Sequence, residues 1–431
     1  MVGINERVKE VFAPLYLSKK RYFLVTGGRA SLKTSNVQEF IAKLTFEQGH
    51  GILFTRFTMT SAEKSIIPEF ATAVKRLNLS SYFRFTKNKV TNTATGSFVL
   101  FSGIKTSSGD QTANLKSISG ITTWVIEEGE DFTDERVFDT IDDSIRTSNK
   151  QNRVIWIQNP TTKEHFIYKR WIEPKNKKIK VHGYDVTVSD LPYVEHIHST
   201  YTLAADLGFL SKGWLEKAKK YKEEAEHKDD LPKEHPEYKD KHESHYYYNY
   251  IGGWLERAFG VIYPSWREGE FDLSLPSACG LDLGYFPDPL ALCRIAINKK
   301  KKWIHLQQLI YATELSNEQI LRKCKELIRR RNELIAVDHN EPRLTAYLAK
   351  NKLNVIKAIK GKDSVINGIR DIQGYEIIAT PDSNDAKKEL NNYAWNDKKQ
   401  SVPVDEFNHL LDAMRYAFGR LNQKRAGVRT K

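Results

Sequence analysis

Along the chain, short apolar runs that close on glycine or an acid alternate with stretches whose apolar residues recur every third or fourth position. Tyr22-Phe23-Leu24-Val25-Thr26 runs into Gly27-Gly28, and Val37, Phe40, Ile41 and Leu44 then mark one helix face. Gly51 to Arg56 reads as a buried strand and Ser61 to Leu77 as a helix. Phe83 to Phe85 and Gly96 to Phe101 read as shorter strands. Thr122 to Ile126 is a strand ending in Glu127-Glu128, and Arg153 to Gln158 one ending in Asn159-Pro160. A short helix is expected around Glu6 to Phe12. Strands alternating with helices predict an α/β fold with a mainly parallel sheet covered on both faces.

From residue 161 the pattern changes. Lys175 to Lys178 and Lys217 to Glu243 are dense in both charges, and the stretch Trp214 to Glu226 reads as a helix. Tyr246-Tyr247-Tyr248-Asn249-Tyr250 then leads to Gly252-Gly253-Trp254. Such a run can stack on bases, but packing against a neighbouring helix is the favoured reading. A second series of strands follows at Ala278 to Gly284, Ala291 to Ile297 and Trp303 to Tyr311, the last two joined by the turn Lys299 to Lys302. Their short connections predict an antiparallel meander. A helix from Asn317 to Arg331, a buried strand Leu334 to Asp338 and a closing helix from Phe407 to Ala417 complete the series.

The chain has 431 residues, enough for two or three domains. A net charge of +13 suggests a polyanionic partner, most simply nucleic acid, although a merely basic soluble protein would show the same number. Cys279, Cys293 and Cys324 show no metal-ligand spacing and cannot all pair with one another, which fits a reducing compartment. No signal peptide and no long apolar run is visible, so no membrane association is expected.

Candidate chemistry gathers at the strand ends. Gly27, Gly28, Arg29, Ala30, Ser31, Leu32, Lys33, Thr34 and Ser35 join a strand to a helix in the manner of a phosphate-binding loop. In such a loop backbone N–H groups and the helix N-terminus hold phosphates, the lysine reaches the terminal ones, and the next hydroxyl ligates Mg²⁺. Leu32 stands where the usual pattern has its second glycine. The plainer reading is an ordinary strand-to-helix turn. Glu127 and Glu128 supply the second element an ATPase needs: the first acid for the metal, the second to polarise the attacking water. Asn159, at another strand end, is positioned to sense the terminal phosphate. An acidic strand end and an Asn-Pro turn are the plainer readings of these two.

In the second half Asp282 lies on the first strand, Asp338 ends a later one, and His409 and Asp412 share a face of the closing helix. Three acids in this strand-strand-helix order are the elements of an RNase H-like nuclease. Such an enzyme holds two Mg²⁺ or Mn²⁺ ions about 3.5–4 Å apart on carboxylates, one activating water and one stabilising the leaving oxygen. Any one of these acids alone would read as a solvated or capping carboxylate.

The first 160 residues resemble the ATPase domain of the large terminase subunit of tailed double-stranded DNA phages. The Gly-Gly-Arg loop, Lys116-Ser117-Ile118 before the acid-tipped strand, and the later Asn-Pro carry the likeness. In the second half it rests on Asp282-Leu283-Gly284 with Asp288-Pro289, on Val337-Asp338, and on His409-x-x-Asp412-Ala-x-Arg-Tyr-Ala. The resemblance implies a P-loop ATPase core over 1–170, a helical lid and linker over 171–255, and an RNase H-like nuclease over 256–431. It implies that Asn159 couples hydrolysis to movement and that Arg29 acts on the phosphates. Asp282, Asp338 and Asp412 become metal ligands and His409 an accessory group, with Asp288 and Asp405 as lesser acids. The implied activity is ATP-driven translocation of double-stranded DNA into procapsids with metal-dependent cutting. The implied partners are a small terminase subunit and the capsid portal, with the chain in a homo-oligomeric ring, in the host cytoplasm during virion assembly. Two other readings stay open: a catalytically silent nucleotide-binding assembly protein, which Leu32 alone supports, and a cellular DNA-repair ATPase-nuclease.

Overall fold

The computed structural model describes residues 6–59, 62–105, 120–235, 237–286, 288–328, 332–338, 342–358, 363–396 and 399–422. Lys116-Ser117-Ile118, Ser61 and Arg331 lie outside them. The chain forms two compact units, Met1–Glu256 and Arg257–Lys431.

The first unit is built on an eight-stranded sheet. Its strands are β1 (Tyr22–Gly27), β2 (Gly51–Thr58), β3 (Phe83–Phe85), β4 (Lys89–Asn92), β5 (Phe98–Lys105), β6 (Ile121–Ile126), β7 (Arg153–Gln158) and, after the separate hairpin of β8 (Asn176–Val181) and β9 (Tyr184–Ser189), β10 (Val194–Ser199). The order is β10-β1-β7-β6-β2-β5-β4-β3. Pairing is parallel from β10 to β5, and β5, β4 and β3 close the edge antiparallel. All six residues of β6 and of β7 are buried, as expected of strands covered on both faces. Side chains alternate between the faces. Phe23 and Val25 join the core under the helices Lys33–Leu44 and Ile67–Arg76. Leu24 joins an opposite core of Trp124, Phe138, Trp156 and Trp171.

The segment expected as a helical lid is more mixed. Its long helix, Lys212–Asp229, is present, but β8 and β9 form a hairpin and β10 enters the main sheet beside β1. The Val-Glu-His-Ile-His-Ser sequence of β10 lacks the continuous apolar run that marks a central strand, because β10 lies at the sheet edge. Tyr246, Tyr247 and Tyr250 pack as favoured: all three are buried, and Tyr250 meets Trp214 of the long helix at 5.2 Å between ring centroids.

The second unit holds β11 (Trp266–Glu268), β12 (Ser277–Asp282), β13 (Leu290–Asn298), β14 (Trp303–Ala312), β15 (Ile335–Val337), β16 (Val355–Lys357) and β17 (Glu376–Ala379), in the order β11-β17-β14-β13-β12-β15-β16. A small hairpin of β18 (Trp395–Asn396) and β19 (Lys399–Pro403) stands apart. β12, β13 and β14 form the expected antiparallel meander, and β15 lies parallel to β12. The helix His409–Asn422 crosses this sheet at close range: a Cβ on Gly280 would lie 1.7 Å from the Ala413 carbonyl oxygen. Only glycine lets strand and helix approach so far.

One buried ion pair ties the meander to the loop before β15. Arg294, 2% exposed, donates from Nε to Glu333 at 2.6 Å and from Nη2 at 3.0 Å. Leaving one member of such a pair alone costs about 3–5 kcal/mol. Glu333→Ala should therefore destabilise the second unit by about that amount in denaturant unfolding of the full chain, whereas a loss below about 1 kcal/mol would mean the pair behaves like a surface bridge.

Candidate functional site

Parallel pairing brings three strand ends to one edge of the first sheet. In register, Thr26 lies beside Gln158 and Ile126 beside Trp156. The residues that follow, the loop Gly27–Leu32, Asn159 and Glu127-Glu128, thus surround one pocket of about 460 Å³. This is the crevice at the carboxyl ends of a parallel sheet where ligands bind in such folds.

The loop is tightly specified. A Cβ on Gly28 would lie 2.4 Å from the Tyr250 carbonyl oxygen, and the Arg29 amide donates to Asn249 O at 2.7 Å. The tyrosine-rich segment therefore buttresses the loop from behind. Ser31 Oγ donates to Gly28 O at 2.7 Å, and Ser35 Oγ to Leu32 O at 3.0 Å. The Arg29 side chain is exposed and lines the pocket, as does Ala30. Lys33 is buried and its ammonium donates to Gly27 O, Gly28 O, Ser31 Oγ and Asn159 Oδ1 at 2.8–3.0 Å. Burial lowers its pKa, and Glu130 partly opposes this.

Behind the loop a directed chain of hydrogen bonds fixes the sheet edge. The Ser189 amide donates to His196 Nδ1, so the proton of His196 sits on Nε2 and donates to Thr26 Oγ1 at 2.7 Å. His198 donates from Nε2 to Ile251 O, so its Nδ1 accepts from Thr26 Oγ1 at 2.9 Å. Burial holds both imidazoles neutral by lowering their pKa values.

The acids divide by neighbour. Glu127 is buried, and its pKa is raised first by that burial, with Glu69 adding to the effect and Thr34 and Arg56 opposing it. Thr34 lies beside the Glu127 carboxylate and offsets part of that rise, and Glu127 Oε2 has no hydrogen-bond partner. A hydroxyl beside a carboxylate with a spare oxygen is the donor set that Mg²⁺ takes. Glu128, with φ +49°, is ion-paired to Arg56 at the end of β2. Glu130 carries no role in the sequence reading. It accepts from Asn159 Nδ2 at 2.9 Å and lines the same pocket.

In the second unit Asp282 ends β12 and Asp338 follows β15, with the Asp338 amide donating to Leu281 O at 3.3 Å. Asp412 faces them from the crossing helix. His409 Nδ1 lies 3.3 Å from Asp282 Oδ2 and its Nε2 3.8 Å from Asp288 Oδ1. Burial disfavours the imidazolium, but the Asp282 hydrogen bond and the charges of Glu389, Asp282 and Asp288 outweigh it and raise the pKa of His409. Asp405 is exposed in the approach to the helix.

Three further residues act here that the sequence reading left without roles. Tyr416 donates to Asp282 at 3.3 Å, Arg415 pairs with Asp412 at 2.9 Å, and Glu389 caps the helix by accepting from the Leu410 and Leu411 amides at 2.8 and 3.1 Å. The first two sit in the quoted helix motif. Glu389 comes from the helix Asn384–Asn392 and leaves no sequence signal. Among the described residues no three His, Cys, Asp or Glu side chains converge closely enough to hold one ion. The carboxylates are of the right chemistry for hard divalent cations, and protein donors engage Asp282 and Asp412.

The family model for the phage terminase large subunit matches residues 19–231, and that for a terminase RNase H-like domain matches residues 282–420. The chain is similar to the terminase large subunit of Bacillus phage SPP1, at 26% identity over 98% of each chain. Among solved structures it is similar to the HK97 bacteriophage large terminase (11% identity, 96% of this chain and 94% of that one, TM-score 0.48). It is also similar to the SPP1 large-terminase nuclease domain with bound Mn (26% identity, 37% of this chain and 98% of that one, TM-score 0.34).

Leu32, which stands where the usual pattern has its second glycine, adopts φ +63°, ψ 14°, the left-handed conformation. The helix start demands that turn, which is why glycine is usual at this position, and a leucine there costs about 1–2 kcal/mol. Leu32→Gly should remove the strain, raising stability by up to about 1 kcal/mol after the added freedom of the unfolded chain, and leave any ATPase rate within about tenfold. Thermal unfolding beside steady-state ATPase checks both. A large gain in rate would mean that the strain itself restrains turnover.

Proposed function

The chain belongs to the phage terminase large-subunit family, a DNA-packaging ATPase joined to an RNase H-like nuclease, and we propose roles for its residues on that premise. The observation that carries the reading is the meeting of Lys33, the Thr34–Glu127 pair and Asn159 at three adjacent strand ends.

In the ATP site the N–H groups of Gly28 to Lys33 and the helix N-terminus cradle the phosphates. Lys33 exchanges its loop carbonyls for phosphate oxygens, and Arg29, exposed at the rim, adds a second positive charge. Thr34 and Glu127 hold Mg²⁺, which would neutralise charge on the phosphate oxygens. Glu128 orients the attacking water once it leaves Arg56. Asn159, already bonded to Lys33, meets the terminal phosphate and passes its loss to β7. The segment 171–255 serves as lid and linker, since its tyrosine-rich part touches the loop directly.

In the nuclease site Asp282, Asp338 and Asp412 hold divalent cations, Mg²⁺ or Mn²⁺, which would activate water and stabilise the leaving oxygen. Asp282 would be central to holding them, because it is flanked by Asp338 on the neighbouring strand and Asp412 on the helix. His409, held by Asp282, orients water or a phosphate oxygen, since Mg²⁺ takes oxygen ligands in preference to imidazole. The partners are double-stranded DNA, a small terminase subunit and the capsid portal, on which copies of the chain form a ring. The setting is the host cytoplasm during virion assembly. No helix among the described residues is long and apolar enough to cross a membrane.

The two sites should fail independently. Lys33→Ala should lower ATP turnover by at least about 10²–10³-fold and leave plasmid nicking intact. Glu128→Gln should bind ATP yet hydrolyse it poorly. Asp282→Ala should abolish nicking in Mg²⁺ or Mn²⁺ and keep the ATPase. Normal turnover by Lys33→Ala, or undiminished cutting by Asp282→Ala, would remove the corresponding assignment.

Non-specific binding to duplex DNA should weaken steeply with salt, because lysine and arginine contacts to phosphates release counterions. Fluorescence anisotropy across a salt series checks this, and a flat response would leave the charge of +13 without its proposed use.

A further inference from the structure

We propose that Glu130 is a positioning residue of the ATP site, which fixes the Asn159 amide so that its oxygen faces Lys33. The inference rests on the roles given above to Lys33 and Asn159. Glu130 Oε1 accepts from Asn159 Nδ2 at 2.9 Å, and Oε2 accepts from the Asn159 backbone amide at 3.3 Å. At the other end of the same side chain, Lys33 Nζ donates to Asn159 Oδ1 at 3.0 Å. A carboxylate only accepts and an ammonium only donates, so the amide between them has one possible orientation. Turning it over would set NH₂ against the ammonium and oxygen against the carboxylate.

The turn is built to deliver this contact. Gly129 lies flush on the Trp156 indole: a Cβ there would sit 2.2 Å from Nε1. The backbone of the turn Gly129–Asp131 therefore rests directly on β7, the strand that ends beside Asn159, and Glu130 reaches the amide from below. The other two acids face elsewhere, Glu127 beside Thr34 and Glu128 ion-paired to Arg56. Three acids within four residues thus serve three partners. When Lys33 moves to phosphate, Glu130 keeps Asn159 Oδ1 pointed into the pocket, where it can accept from the attacking water or from Lys33. Without Glu130 the amide is free to rotate, and the strand-end contact loses its direction.

The test is a double-mutant cycle in the full chain: wild type, Glu130→Ala, Asn159→Ala and the double variant. Steady-state ATPase with DNA, equilibrium binding of ADP and thermal unfolding are measured on each. Glu130→Ala should lower kcat by about 10–100-fold, the usual effect of removing a supporting partner, with KM changed by less than about threefold. ADP affinity should stay near wild type. The double variant should be no slower than the slower single, because Glu130 acts through Asn159. Glu130→Gln should recover part of kcat, since its oxygen still accepts from Nδ2, and it carries the cycle if the alanine variant does not fold. Additive losses in kcat would overturn the proposal, as would an effect confined to KM or to stability. Normal turnover by Lys33→Ala is the separate result that would remove the underlying reading of the site.

Discussion

The structure depends first on parallel pairing of buried strands. A parallel strand ends on the same edge as its neighbour, so whatever follows β1, β7 and β6 is delivered to one crevice. The phosphate loop, Asn159 and the acid pair are far apart in sequence and meet only because β7 and β6 line up beside β1. The second unit uses the same device on a smaller scale. β12 and β15 are parallel neighbours, so Asp282 and Asp338 emerge side by side although a meander and a helix separate them in the chain. The helix that adds Asp412 reaches them because Gly280 lets it lie close.

This constraint explains what the sequence disclosed. Continuous apolar runs such as Val154 to Ile157 are what a strand covered on both faces requires, so the central strands and the residues at their ends were legible. The helix faces at Val37, Phe40, Ile41 and Leu44, and at His409 and Asp412, were legible for the same reason of period. β10, with two histidines and a glutamate, carried no such mark. Its histidines are spent on Thr26 and a backbone carbonyl, a use that depends on β1 being its neighbour. Glu130 and Glu389 were hidden in the same way. Each is an ordinary acid in its own segment and gains meaning only from a strand end or helix start brought to it by the fold.

Residues that break ordinary rules occur in both units, and several of them lie at the first site. Leu32 and Glu128 hold left-handed backbone conformations, and Glu127 is a buried carboxylate with an oxygen left unpartnered. Each costs stability on its own. Those beside Lys33 sit above regular strands and dense aromatic cores, a rigid scaffold that can hold a strained surface in place. The tyrosine-rich segment is part of that support. Its Tyr250 carbonyl leaves no room for a side chain on Gly28, and a Cβ on Gly252 would strike the Gly27–Gly28 backbone, while the Ser199 carbonyl of β10 closes off Gly27.

The two sites solve like-charge crowding differently. At the ATP site the carboxylates are separated by their neighbours, and Glu127 keeps a buried oxygen to spare. In the second unit Asp282 and Asp338 are instead brought to neighbouring strand ends with Asp412 facing them, and protein donors engage two of the three. Tyr416 and His409 hold Asp282, and Arg415 holds Asp412. These donors balance negative charge that divalent cations would otherwise balance. On the proposed nuclease reading, an entering cation would compete with a guanidinium at Asp412 and with an imidazole at Asp282. Arg415 is buried against Gly368 and pairs with Asp412. On that reading Asp412 would need the larger local change to turn to a cation, while Asp282, held by two contacts at 3.3 Å, would need the smaller.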